Sequence, residues 1–364
     1  MAGSLPGWSI GLAGFLLGGL CGYVVQRARL CSFAAIESAL MAKDWRRMRI
    51  FALALAVALA LTQGLIIAGQ FEPHSSAYVP SRVALLSAAI GSYMFGIGMA
   101  FVGTCAFGSL VRTGSGDLRS LITLLVFGAV AYATLRGVLS PLRIDVLEQA
   151  AIGMPRDTAS EWPAVLQALT GADLRPWLTL AALAALGVFI LRGAPLWKTP
   201  RLLTAGIVLG VCVAAGWWIT GVAADKFEMD LRVQSLTFVA PVARAIFAVT
   251  GNHANWLDFG VMSVPGVIVG AFIASRRARD FRWEAYDDHY EMRRHLTGGV
   301  LMGFGGVLAG GCTIGQGLSA GSLLAITWPV TVLGMMLGAR TGIAIMVEGS
   351  LRDFLAHMLA RPAP

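Results

Sequence analysis

Charge is what this chain has least of. Asp, Glu, Lys and Arg make up 13% of its 364 residues, where soluble domains average about 25%. With 57% hydrophobic residues besides, a soluble globular fold is excluded, and so is disorder, which needs high charge and low hydrophobicity. Cysteine is also scarce. The five are Cys21, Cys31, Cys105, Cys212 and Cys312, all in or beside apolar stretches, and an odd number so placed is no disulfide framework. The sequence has no Cys-X-X-Cys pair or Cys/His cluster for zinc or an iron–sulfur centre, and no Walker motif. No cofactor, no metal and no ATP hydrolysis are therefore expected. No basic stretch precedes the first apolar run, so that run reads as a spanning helix and not as a cleaved signal.

What the chain does have is long apolar runs, 44 glycines and a mean hydropathy of +0.72. A β-barrel alternates apolar and polar residues and never stays apolar for about twenty. The expected class is an all-α polytopic membrane protein. A helix needs about 20 apolar residues to cross the hydrocarbon core, and nine stretches qualify: Trp8–Gln26, Met48–Gly69, Val83–Gly103, Leu118–Arg136, Trp177–Arg192, Leu202–Gly221, Leu257–Ser275, Leu296–Gly310 and Ala325–Val347. Four others are too short to span and read as re-entrant helices: Cys31–Met41, Cys105–Val111, Ser235–Val249 and Cys312–Ser322.

Nine spans put the two ends on opposite sides. The net charge of +8 reads as basic cytoplasmic loops and not as a nucleic-acid patch. With the N-terminus outside, most Lys and Arg fall inside, including Lys43 to Arg49, Arg112, Arg119 and the arginines of Arg276–Arg294. That orientation, with the N-terminus periplasmic and the C-terminus cytoplasmic, is the expected one. The segment Arg276–His295 is mixed in charge and reads as a solvated face.

The chain also repeats itself. At an offset of 207, Gly91, Gly96, Gly98, Gly103, Cys105, Gly108, Gly114 and Ser115 fall on Gly298, Gly303, Gly305, Gly310, Cys312, Gly315, Gly321 and Ser322. A weaker match at 192 sets Gly14 and Gly18 on Gly206 and Gly210. An odd number of spans separates the copies, so the halves are inverted, a transporter design with the substrate path at the repeat interface. The competing reading of the glycines is tight helix packing. The expected organisation is a first repeat at 1–136, an external loop and connector span at 137–201, a second repeat at 202–347 and a cytoplasmic tail at 348–364.

Three cysteines head the short segments: Cys31 in Arg27-Ala-Arg-Leu-Cys-Ser-Phe, Cys105 in Gly103-Thr-Cys-Ala-Phe-Gly, and Cys312 in Gly310-Gly-Cys-Thr-Ile-Gly-Gln-Gly. Short helix N-termini carry partial positive charge and free N–H groups that suit an anion. A thiolate there would repel such cargo, whereas a neutral thiol is a weak S–H donor and a soft surface. The bland alternative for each is a small buried hydrophobe, and for Cys21 and Cys212, in plain spans, that reading wins. Supporting candidates are Thr104, Gly108, Gly311, Thr313, Gly315 and Gln316 at the breaks, Arg112 at the end of the first short segment, and Arg340 within the last span. Their ordinary roles would be capping, helix–helix hydrogen bonding or, for Arg340, snorkelling to the interface.

These three motifs, the nine spans and the four short helices resemble the YeeE/YedE family over nearly the whole chain. The resemblance implies uptake of thiosulfate across the bacterial inner membrane through a narrow path lined by three cysteines, carried over by motif to Cys31, Cys105 and Cys312. It implies a separate small sulfur-carrier protein of the TusA type on the cytoplasmic side. It also leaves sulfur-oxidation and selenium-related cargoes open, because the family has such branches. Two other classes stand beside a transporter. One is a membrane sulfurtransferase with a cysteine persulfide, for which no activating base lies next to Cys105 or Cys312 in sequence. The other is a sensory subunit.

Overall fold

A computed structural model describes residues 7–149, 151–153, 159–192, 199–223, 233–250 and 258–348. The expected tail beyond residue 348 and the first residue of the seventh expected span, Leu257, lie outside them. The described residues are mostly helical, and their one sheet is a two-residue antiparallel pairing of β1 (Arg82–Val83) with β2 (Ile152–Gly153). In order, the helices are α1 (Gly7–Ala28), α2 (Ser32–Met41), α3 (Arg46–Ile67), α4 (Leu85–Val102), α5 (Ala106–Gly114) and α6 (Leu118–Arg136). After the long loop come α7 (Trp162–Thr170), α8 (Arg175–Leu191), α9 (Pro200–Trp218), α10 (Ala240–Thr250), α11 (Phe259–Ala278), α12 (His289–Leu308) and α13 (Thr327–Glu348).

Seven stretches among the described residues are long and apolar enough to cross a membrane, which makes this an all-α, multi-pass membrane protein. The other two expected spans differ in length or polarity. Helix α8 has 17 residues, about 26 Å at 1.5 Å per residue. Helix α12 starts at His289, earlier than expected, and its first two turns carry His289, Glu291, Arg293, Arg294 and His295. The Cys312 segment is not a regular short helix: residues Gly315–Ala320 form a widened turn, with Ser319 N donating to Ile314 O at 3.1 Å. Of the stretch expected at Ser235–Val249, only Ala240 onward is helical.

Segment 276–295 is also less free than a solvated face. Its Arg282 and Glu284 amides donate to the Ser115 and Gly116 carbonyls, and the Leu118 amide donates to Glu284 O at 2.9 Å. Arg119 then gathers Asp117, Glu284 and Glu291 around one guanidinium. The segment therefore latches onto the start of α6.

In lipid there is no hydrophobic drive between helices, so close backbone approach must hold them. Helix α1 lies parallel to α11, and a Cβ on Gly14, Gly18 or Gly22 would come within about 3.0 Å of the Cα of Phe259, Ser263 or Val267 respectively. Helices α3 and α9 run parallel through Gly206 and Gly210. Helix α4 runs parallel to α13 and antiparallel to α12, while α12 runs parallel to α6. These pairings bring the ends of α1, α4 and α12 to the interior, where the three cysteine segments begin.

Candidate functional site

Each of the three cysteines follows a helix by the same device. Two residues earlier, a left-handed residue ends the long helix: Arg29 (φ 48°) after α1, Gly103 (φ 74°) after α4 and Gly310 (φ 73°) after α12. A left-handed residue closes a helix because it turns the next amides back onto the last carbonyls. Arg29 is the costly case, since a non-glycine residue is strained there. Cys31 and Cys105 then sit extended as N-caps of α2 and α5. The Gly108 amide donates to Cys105 Sγ and the Gly315 amide to Cys312 Sγ, each at 3.4 Å. Cys31 makes no such cap bond to α2, although Ala34 stands at the same spacing after it.

The three segments meet. Cys31 Sγ lies 3.4 Å from Thr104 Oγ1, and its thiol neighbours that of Cys105. Ser32 and Thr313, each next in sequence to a cysteine, share a hydroxyl hydrogen bond of 2.9 Å, and both neighbour Cys105. Cys312 and Cys105 are buried, and Cys31 is half-buried.

Cys31 opens on a cavity of about 530 Å³, also lined by Thr104, Gly108, Arg29, Arg47, Arg112 and Arg282. Arg29 is paired with Asp280 at 3.0 Å and Arg119 with its three carboxylates. Arg47, Arg112 and Arg282 have no ion-pair partner among the described residues, so the cavity is net cationic. On the other side, a cavity of about 120 Å³ reaches Gly310 and Gly311 and is lined by Tyr78, Thr237, Gln234 and Arg244. The Tyr78 hydroxyl stands 3.2 Å from where a Gly311 Cβ would be, and it also neighbours Gly315, Thr237 and Cys312. Cys31 thus faces a wide basic cavity, the vestibule, and the Cys312 segment backs onto a narrow one, the mouth, through Gly310 and Gly311.

The supporting candidates divide. Thr104, Gly108, Gly311, Thr313 and Gly315 are at the cysteines. Gln316 is close, but both its ends are taken: its amide donates to Ala309 O at 2.7 Å and its oxygen accepts from Thr331 at 3.3 Å, which caps α12. Arg112 donates to Gly103 O at 3.1 Å and lines the vestibule. Arg340 is exposed on α13 and lines neither cavity. Cys21 and Cys212 are buried between helices, away from the three. Sequence reasoning missed Ser32, Tyr78 and Thr237. Thr237 lies in the short apolar stretch Ser235–Val249, whereas nothing periodic marks Tyr78. No group of His, Cys, Asp and Glu among the described residues is placed to hold a metal ion.

Fold and site together define a multi-pass membrane protein with broken helices and an interior lined by thiols and hydroxyls. The chain belongs to the sulphur transport family, whose model matches residues 27–341, and so the resemblance read from the three motifs holds. It is similar to the thiosulfate transporter TsuA of Escherichia coli K12, at 29% identity over 350 residues that cover 92% of this chain and 94% of the relative. It is similar also to the thiosulfate transporter TsuA of Spirochaeta thermophila, at 26% identity over 344 residues that cover 89% and 96%. Family membership sets the chain among transport proteins and not among enzymes.

Proposed function

We propose that this protein imports thiosulfate across the bacterial inner membrane, passing the anion from Cys312 to Cys105 to Cys31. The observation that supports the reading is the thrice-repeated turn that heads each cysteine segment, with Cys31 beside Cys105 and Thr313 against Cys105. A neutral thiol offers thiosulfate's terminal sulfur a polarizable surface and an S–H donor. Sulfate has no soft end to meet it, so selectivity follows without a covalent step. The hydroxyls of Tyr78, Thr237, Thr313, Ser32 and Thr104 replace lost water along the way. The likeness to two thiosulfate transporters supports the cargo.

The proposed frame is nine spans in two inverted repeats, 1–136 and 202–347, joined by 137–201. Matching close approaches support it. Gly96 of α4 packs on α13, and its counterpart Gly303 of α12 packs on α6. Gly91 meets α12 while its counterpart Gly298 meets α4. Gly14 and Gly18 pack on α11 as Gly206 and Gly210 pack on α3. The basic vestibule faces the cytoplasm, with the N-terminus periplasmic and the C-terminus cytoplasmic, and there a separate TusA-like carrier takes the sulfur.

The test is uptake of radiolabelled thiosulfate into proteoliposomes by the wild type and by Cys31→Ala, Cys105→Ala and Cys312→Ala, with sulfate as competitor. Uptake that resists sulfate and collapses in all three variants is expected. Uptake indifferent to the cysteines, or a stable persulfide found by mass on the purified protein, overturns the relay.

A further inference from the structure

A further cavity adjoins the vestibule below Cys31 and shares Gln26, Arg29 and Asp280 with it. It is a groove of about 760 Å³ at the basic end, between the last turns of α1 and α11 and the first turn of α9. Its lining carries Arg27, Arg29 and Arg201, with Asp280 as the one carboxylate, and apolar side chains of Leu202, Ala274 and Ala278. Asp280 is already engaged by Arg29. Arg27 and Arg201 have no ion-pair partner among the described residues, and both are exposed.

Three features name the occupant. The groove lies where three helices of 22, 20 and 19 residues end or begin, the depth of the lipid phosphates in a bilayer about 30 Å thick. Its cations favour an anion, and basic pockets between spanning helices at this level suit anionic headgroups. Its apolar lining residues suit the glycerol and first methylenes of a lipid, which a hydrated inorganic ion would leave uncovered. We infer that this groove binds one anionic phospholipid from the leaflet at the basic end, its phosphate between Arg27 and Arg201 and its glycerol on Leu202, Ala274 and Ala278. The inference does not depend on the thiosulfate reading.

The site has a route to the path. Gln26, Arg29 and Asp280 line both this groove and the vestibule below Cys31. Arg29 is the left-handed residue that sets Cys31 in place. A headgroup phosphate competing with Asp280 for Arg29 would act on the turn that carries Cys31.

The experiment is native mass spectrometry of the purified, delipidated full chain, titrated with phosphatidylglycerol or with phosphatidylethanolamine of the same acyl chains. The arms are the wild type, the pair Arg27→Gln/Arg201→Gln, and a charge-matched pair at the same end but outside the groove, Arg46→Gln/Arg293→Gln. Phosphatidylglycerol is expected to bind at least tenfold more tightly than phosphatidylethanolamine, and the groove pair to weaken it about thirtyfold, roughly fivefold per arginine. The matched pair is expected to leave it unchanged. All four arginines are exposed, and an unchanged thermal midpoint checks the fold. Equal binding of the two lipids, or equal loss in the two pairs, overturns the site. Displacement of phosphatidylglycerol by millimolar inorganic phosphate makes it a free-anion site and overturns the lipid assignment.

Discussion

Gly315 and Gly317 stand two residues apart in one turn, and their substitution by alanine should have opposite effects. Neither has a left-handed backbone, so only space decides. A Cβ on Gly315 would lie 2.5 Å from Thr237 Oγ1 and 3.0 Å from Thr237 Cβ, and the Tyr78 hydroxyl would be closer still. Ordinary contact begins near 3.4 Å, so Thr237 must retreat by about 0.9 Å in a packed interior, which costs about 1–3 kcal/mol. A Cβ on Gly317 meets nothing within 4 Å, and alanine there should gain about 0.4–1 kcal/mol by narrowing the unfolded chain's freedom. The assay is denaturation in detergent followed by thiosulfate uptake in proteoliposomes. Gly315→Ala is expected to be destabilised and inactive, because the Gly315 amide underlies the Cys312 thiol. Gly317→Ala is expected to be active and at least as stable as the wild type. Adding Tyr78→Phe and Thr237→Ala to Gly315→Ala should recover stability through a coupling of about 1 kcal/mol. Equal behaviour of the two glycines, or no coupling to Tyr78 and Thr237, would refute the packing described for this mouth.

Two further outcomes follow from single side chains. Glu161 is 1% exposed and pairs with Arg175, but burial outweighs the pair and pushes its carboxyl up from 4.5. The folded state therefore holds this proton more tightly than the unfolded one. Its contribution is fully present below about pH 4.5 and is lost as pH rises through the raised value. Thermal midpoints across pH 4 to 7 should fall less steeply in Glu161→Gln than in the wild type, and an unchanged slope would count against the assignment. Among the arginines, Arg340→Gln should leave uptake unaltered, whereas Arg112→Gln should lower it about tenfold, the scale of one lost hydrogen bond to a charged group. The reverse order would show that the path runs elsewhere.

The class of fold was legible in composition, because lipid tolerates only helices or closed barrels and the apolar runs excluded barrels. The cysteine segments were legible because a glycine two residues before each of Cys105 and Cys312 marks a left-handed stop. At Arg29 that signal was absent, because arginine holds the same conformation under strain and nothing in its side chain announces it. Gln316 illustrates the limit from the other side. Its position beside Cys312 suggested an anion ligand, yet its amide closes α12, and only the position of the Ala309 carbonyl decides between the two. Tyr78 and Thr237 were invisible for a plainer reason: they reach the mouth from loops distant in sequence, and no periodicity links a loop to a helix it touches.

By itself, then, the sequence determined what local physics can determine: hydrophobic length, charge bias, the helix breaks and the three thiols at their heads. Tertiary structure alone decided that the Cys31 and Cys105 thiols are neighbours, that Thr313 of the Cys312 segment joins them, and that Cys31 opens on a basic cavity. It also decided that a lone arginine on α13 lines neither this cavity nor the narrow one. Spacing along a chain sets which residues share a turn, but close backbone approach between helices far apart in sequence sets which turns meet.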